Sequence, residues 1–288
     1  MTAPTKMILA CIDGSDLGNK VVEYAIFLAK SSQVPLKFLH TIEHSHHSEH
    51  VHREGNLTPN MKEHLLDELS DEERLESKQL ISEGKAILDA AKQQAEQAGL
   101  SNIIAKQRHG SLPDALVDLE PEISLVVLGS KGEDHKGDKQ GLGTQLEEAI
   151  RSIQTPVFIV KSDFSEPKKI MFAFNGSPTS VKALQLVAQG QFFNQEVELH
   201  VVAVKANIDE SQTLINEAET LLSKENIKAT TKALQGDVIE QLTIYQQQND
   251  IDVTSMGAFS HGKVHGFFFG SFTTRMLLES TTNFLLIR

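Results

Sequence analysis

Residues 8–15, ILACIDGS, return at residues 170–177 as IMFAFNGS. Each stretch is an apolar run of strand length that ends in Asp or Asn, then Gly, then Ser, the residues that turn a buried strand into a capped helix. The two copies are offset by 162 positions, and later landmarks repeat as well. His109-Gly110 matches Gln235-Gly236, Gly129 matches Gly257, and Gly143-Thr144 matches Gly270-Ser271, at offsets of 126, 128 and 127. The chain is therefore a duplication, and the fall in offset places roughly 36 extra residues in the first half, between its second strand and the helix that follows.

Working outward, apolar runs of strand length alternate with longer segments of helical period, which is the pattern of a parallel sheet covered by helices. Strands are predicted at 7–12, 36–41, 103–106, 125–128 and 157–160, and again at 169–174, 198–204, 229–233, 253–256 and 284–287. The helices between them fall at 17–31, 75–98, 112–119 and 144–152, then at 179–188, 211–224, 238–248 and 272–279. The fold class is α/β: two tandem, doubly wound, five-stranded parallel sheets of strand order 3-2-1-4-5 with helices on both faces. A chain of 288 residues suits two domains of about 140 residues each. They are expected at 1–163 and 164–288, bridged by Ser162 to Lys168 (SDFSEPK), with a His- and acid-rich insertion at about 43–76.

In a sheet of this order, ligands sit beyond the carboxyl ends of the strands where strand order reverses. Asp13 and Asn175 end the first strand of each half, and a glycine-bearing run follows each fourth strand: GSKGEDHKGDKQGLGT at 129–144 and GAFSHGKVHGFFFGSF at 257–272. Glycines let backbone N–H groups approach an anion, a hydroxyl adds a donor, and the helix that opens at Gly-Thr or Gly-Ser supplies positive potential. The architecture suits phosphate. A Gly-Ser at a helix start also serves simply as an N-cap, worth about 1 kcal/mol without any ligand.

Composition narrows the function. At 40% hydrophobic and 23% charged residues the chain reads as globular, and no apolar run approaches the roughly 18 residues that span a bilayer. The N-terminal MTAPTK lacks the apolar core of a secretory signal, so a cytoplasmic protein is expected. Its lone cysteine, Cys11, lies inside the first strand as a small hydrophobe and precludes an intrachain disulfide. A net charge of −12 argues against nucleic-acid or membrane-surface partners, which require many Lys and Arg.

The Ile8-to-Ser15 opening and the spacing G-x2-G-x9-G-[ST] resemble those of the universal stress proteins, and the whole chain outside the insertion is similar to two such domains in tandem. The resemblance implies an adenine nucleotide α-hydrolase-like sandwich, pairing of the domains through their last strands, and binding of ATP or a related adenine nucleotide, with Mg²⁺ as companion ion. Carried position by position, it puts Asp13 or Asn175 near the adenosine. Thr41 or Val201, which follow the pairs Leu39-His40 and Leu199-His200, would contact the adenine. Gly129, Gly132, Gly143 and Thr144 would hold phosphate in one half, and Gly257, Ser260, Gly270 and Ser271 in the other. Each half departs from the pattern. Ser260 replaces the second glycine and Asn175 the aspartate, whereas in the first half ten residues instead of nine separate Gly132 from Gly143.

The insertion holds His44, His46, His47, His50 and His52 close after His40, beside Glu43 and Glu49. Such a cluster suits zinc or a similar ion. It also suits a solvated mobile loop, or one that gains charge on mild acidification. The run Phe267 to Phe269 reads as an apolar patch. His261 and His265, in the second glycine run, could donate to phosphate or have no role. Catalytic constellations are thin: the nearest approach to a P-loop, Gly132 to Lys139, places Asp138 where lysine belongs, and G-x-S-x-G is absent. The expectation is a stress-response protein that binds adenine nucleotide as a switch modulating a protein partner. The alternatives are a nucleotide-independent scaffold with a metal-binding insertion, and a slow ATPase or self-phosphorylating protein acting at Thr144 or Ser271. Internal pairing of the halves is expected, and further homodimerisation is left open.

Overall fold

The computed structural model describes residues 6–42, 59–130, 144–190, 192–193, 196–258 and 271–288. The first half runs β1 (Met7–Cys11), α1 (Asp16–Ser32), β2 (Leu36–Ile42), α2 (Pro59–Gln97), β3 (Ile103–His109), α3 (Leu112–Leu119), β4 (Ile123–Gly129), α4 (Thr144–Ser152) and β5 (Val157–Val160). The second half runs β6 (Lys169–Ala173), α5 (Pro178–Ala188), β7 (Glu198–Lys205), α6 (Ile208–Lys224), β8 (Thr230–Gln235), α7 (Val238–Gln248), β9 (Val253–Gly257), α8 (Ser271–Glu279) and β10 (Asn283–Ile287).

The strands form one sheet of ten in the order β3-β2-β1-β4-β5-β10-β9-β6-β7-β8. Each half keeps the order 3-2-1-4-5 with parallel neighbours, and the two separate sheets expected from sequence are joined at an antiparallel β5–β10 pair, Leu285 opposite Phe158. The carboxyl ends of β1–β5 and of β6–β10 therefore lie on opposite borders of the sheet.

Because side chains alternate along a strand, the apolar runs feed two cores. Ile8, Val127, Phe158, Phe172 and Leu285 pack on one face beneath α1, α2, α5 and α6. Leu9, Val126, Ile159, Met171 and Phe284 pack on the other, beneath α3, α4, α7 and α8. Helix starts are set by side-chain caps from Ser15, Ser111, Ser177, Asn207 and Asp237, each satisfying an otherwise unpaired first-turn N–H.

The insertion departs from the expected loop. Residues 59–76 are the first turns of α2, which reaches 39 residues, about 58 Å at 1.5 Å per residue. It descends along β2 and β3, and at Gly84 the two side chains beneath it leave no room for a side chain: a Cβ there would lie 2.4 Å from His40 Cδ2 and 2.1 Å from Gln107 Nε2. The turns before Gly84 run on past the carboxyl ends of those strands. Leu75 in that stretch is 69% exposed.

The bridge between halves is anchored. Tyr24, buried in α1, donates its hydroxyl to Asp163 O (3.1 Å) and accepts from Ser165 N–H (3.3 Å) and Asn283 Nδ2 (2.9 Å). Asn283 Oδ1 accepts from the N–H groups of Lys161 (2.8 Å) and Ser162 (3.3 Å). Phe164 meets the Tyr24 ring edge-on with centroids 5.0 Å apart, and Lys20 pairs with Asp163.

Candidate functional site

The strand-end turn of the first half is built by its own side chains. Asp13 Oδ1 accepts from Ser15 N–H at 3.0 Å and from Ser15 Oγ–H at 2.6 Å, and Ser15 Oγ in turn accepts from Gly18 N–H at 3.0 Å. Gly14 bends the chain with φ +81°, a left-handed conformation that glycine adopts without strain. A Cβ at Gly14 would lie 2.6 Å from Ile87 Cδ1 of α2, and one at Gly18 would lie 2.7 Å from the Asp13 carboxylate. Beside this turn a cleft of 310 Å³ opens between α1 and α2, lined by residues that include Gly14, Asn19, Ile87 and Gln94.

The second half repeats the device with an amide. Asn175 Oδ1 accepts from Ser177 N–H at 3.0 Å, Ser177 Oγ accepts from Ser180 N–H at 3.2 Å, and Ser180 Oγ accepts from Asn175 N–H at 3.2 Å. Gly176 has φ +75°, with Leu214 of α6 where a Cβ would point. Because the oxygen that holds the turn is present in both side chains, the exchange of Asp for Asn removes charge and keeps the acceptor.

Gly129 and Gly257 end β4 and β9, next to β1 and β6. Just beyond them, Ser130 N–H donates to Val160 O (2.9 Å) and Ala258 N–H to Ile287 O (2.7 Å), so each glycine run leaves the sheet from a point tied to the domain's last strand. Gly257 lies against the first turn of α5: a Cβ there would be 3.0 Å from Ser180 N. That contact sets Gly257 beside the Asn175 turn. Asp13, Thr41 and Gly129 each retain partial exposure on the first domain's border.

Val201 does not belong to this edge. Ile8 pairs with Leu36, and its counterpart Ile170 pairs with Leu199, so Thr41 corresponds to Val204 and Val201 to Phe38. Val201 is wholly buried in mid-strand, and Val204 is 6% exposed. The Leu-His pairs that suggested the other alignment face opposite ways. His40 Nδ1–H donates to Ile12 O at 2.8 Å under α2. Buried His200 instead has Nδ1 at 2.8 Å from Tyr245 Oη of α7, with Nε2 3.0 Å from Glu198 Oε1 but out of line for a hydrogen bond.

Thr144 and Ser271 open α4 and α8. Gly132, Gly143, Ser260 and Gly270 lie outside the described residues, as do His44, His46, His47, His50 and His52. Among the described residues no group of three or more His, Cys, Asp or Glu is arranged to hold a metal, and no helix is long and apolar enough to cross a membrane. Cys11 is partly buried, and desolvation pushes its thiol pKa upward, so it remains an uncharged packing group at neutral pH.

Sequence reasoning passed over the residues after each last strand. Lys161 Nζ donates to Leu277 O and Ser280 O at the end of α8 and lies 5.8 Å from the Phe284 ring centroid. Arg288 Nη1 donates to Ile153 O (2.5 Å) and Arg151 O (3.3 Å) at the end of α4. The signal was present, since the repeat offset of 127 aligns these two cations.

The profile of the universal stress protein family matches residues 4–161 and again 166–288. Universal stress protein Slr1230 of Synechocystis sp. is 32% identical over 287 residues, covering 98% of this chain and all of that protein. Universal stress protein YxiE of Bacillus subtilis is 32% identical over 168 residues, covering 54% of this chain and 98% of its own. In fold, the chain is similar to a universal stress protein from Archaeoglobus fulgidus, with TM-score 0.71 at 20% identity and 98% coverage of both chains.

Proposed function

The chain belongs to the universal stress protein family, and from that premise we propose that it binds ATP or a related adenine nucleotide at the carboxyl border of its domains, as a switch whose occupancy a partner protein reads. The observation that carries this reading is the pairing, in each half, of a glycine strand end with a self-supported turn. Gly129 ends the strand beside β1 and the Asp13-Gly14-Ser15 turn, and Gly257 packs on the helix that follows Asn175-Gly176-Ser177. This is where strand order reverses, the place at which such sheets hold ligands.

In this reading the triphosphate lies over the glycine run and the N-terminus of α4 or α8, where backbone N–H groups and the helix dipole favour an anion. Thr41, or Val204 in the second half, flanks the base. Mg²⁺ would accompany the phosphates, and Asp13 gives the first domain a carboxylate where the second has the neutral Asn175. Binding to one state of the loop stabilises that state by mass action and so alters the surface offered to a partner.

Titration calorimetry of the full chain with Mg-ATP tests the proposal. Saturable binding is expected, and Gly143→Val and Gly270→Val should each remove the site in its own half. A Gly143→Val, Gly270→Val double variant that bound ATP as tightly as the parent would overturn the assignment of phosphate to these runs.

A further inference from the structure

The Lys161 and Arg288 contacts are reciprocal. Each cation stands one residue beyond its own domain's last strand, and each donates to the carbonyls that end the last helix of the other domain. A cation at a helix C-terminus satisfies unpaired carbonyls and opposes the negative end of the dipole. Desolvation lowers the Arg288 pKa from its ordinary value, yet an arginine starts so high that it stays charged at neutral pH.

The antiparallel β5–β10 junction gives this exchange its meaning. The carboxyl end of β10 lies beside the amino end of β5, where α4 finishes, so α4 runs from its own glycine run to the ligand border of the opposite domain. The connections are continuous. From Ala258, at the start of the second glycine run, a hydrogen bond leads to Ile287. Arg288 follows, then the end of α4, then the start of α4 at the first glycine run. The mirror path joins Ser130, Val160, Lys161 and α8.

We propose that these crossed caps couple the two nucleotide borders, so that occupancy of one domain's glycine run steadies the strand end from which the other domain's run departs. The inference rests on the nucleotide reading above and adds its regulation: the two domains bind with positive cooperativity. A ligand that orders α4 fixes the carbonyls gripped by Arg288, and the second ligand then meets a border with less freedom left to lose.

Hydrogen exchange on the full-length Gly270→Val chain, whose second site is disabled, tests the coupling with Mg-ATP as probe. Protection is expected in α4 and, at a distance, at Ala258 and the end of β10, with distal exchange slowed about fivefold or more, the lower range of allosteric couplings. Adding Arg288→Met should abolish the distal effect and leave protection of α4, and adding Arg288→Lys should restore part of it. A single thermal transition in each variant establishes that it is folded. Protection confined to α4 in the Gly270→Val chain would remove the coupling while sparing the nucleotide reading, as would distal protection that survived Arg288→Met. Absence of protection anywhere in the unsubstituted chain would remove both.

Discussion

Asn283 Nδ2 lies 2.9 Å from the hydroxyl of Tyr24, a contact between residues 259 positions apart that ties the last strand of the second half to the first helix of the first. Both side chains are almost fully buried, at 1% exposure each, and the same hydroxyl holds the bridge at Asp163 and Ser165. Tyr24→Phe keeps the ring and strips partners from three groups. A loss of about 0.5–1.5 kcal/mol is expected, the net worth of a typical intramolecular hydrogen bond, because Asp163 and Ser165 are exposed residues and Asn283 Nδ2 keeps Ser162 Oγ at 3.1 Å. Equilibrium urea unfolding reads it directly, and an unchanged midpoint with an unchanged slope would contradict this account of the junction.

At Gly14 the backbone needs φ +81° and a Cβ would meet Ile87 Cδ1 at 2.6 Å. Gly14→Ala should destabilise the chain by about 1–3 kcal/mol. Adding Ile87→Ala should return only the steric part, since the left-handed conformation remains. A double-mutant cycle showing no interaction between the two sites would mean that α2 does not press on this turn.

Asp13→Asn tests the equivalence of the two turns. Asn175 already performs the acceptor role in the second half, so stability should change by less than about 0.5 kcal/mol. Asp13→Ala, which removes the acceptor, should cost about 1 kcal/mol. Should Asn prove as damaging as Ala in thermal unfolding, charge and not hydrogen bonding holds the turn.

The Lys37 ammonium, buried within the sheet at 6% residue exposure, lies 2.9 Å from Glu122 Oε2. That contact lowers the Glu122 pKa below its ordinary 4.5. A depressed folded-state pKa contributes stability that is complete above the unfolded value and is lost as pH falls through the folded one. Lys37→Met should therefore flatten the acid limb of the stability curve below about pH 4.5 without altering its slope near neutrality. NMR titration of the Glu122 carboxyl in the variant should show its pKa moving upward, and no movement would refute the pairing.

Much of the sheet was legible because its inner strands, such as Leu125–Leu128, Val157–Val160 and Phe284–Ile287, are apolar runs buried on both faces, and because a duplicated chain states each element twice. The turns at Asp13 and Asn175 were legible for the same reason. The alignment of Val201 was not: Leu39-His40 and Leu199-His200 look alike, but register is decided by what lies across the sheet, and Leu36 and Leu199 share that position opposite Ile8 and Ile170. The early turns of α2 were hidden by composition. Acids and histidines around residues 43–76 describe a solvated segment, whether loop or helix, although Met61, Leu65 and Leu69 carry the four-residue spacing of a helix face. Lys161 and Arg288 escaped notice because a cap across a domain boundary has no local sequence mark.

The reversed central pair also carries a consequence for how the molecule can be used. With the two halves pointing in contrary directions, their carboxyl borders open on opposite edges of one sheet and share no common face. Joining the halves in one polypeptide also lets them diverge independently, because a substitution appears once and not twice, as it would in an assembly of identical chains. Lys161 in the place of Arg288, Asp13 in the place of Asn175 and Thr41 in the place of Val204 are departures of that kind, and they leave the two ends of the molecule chemically unlike although they are built on one plan.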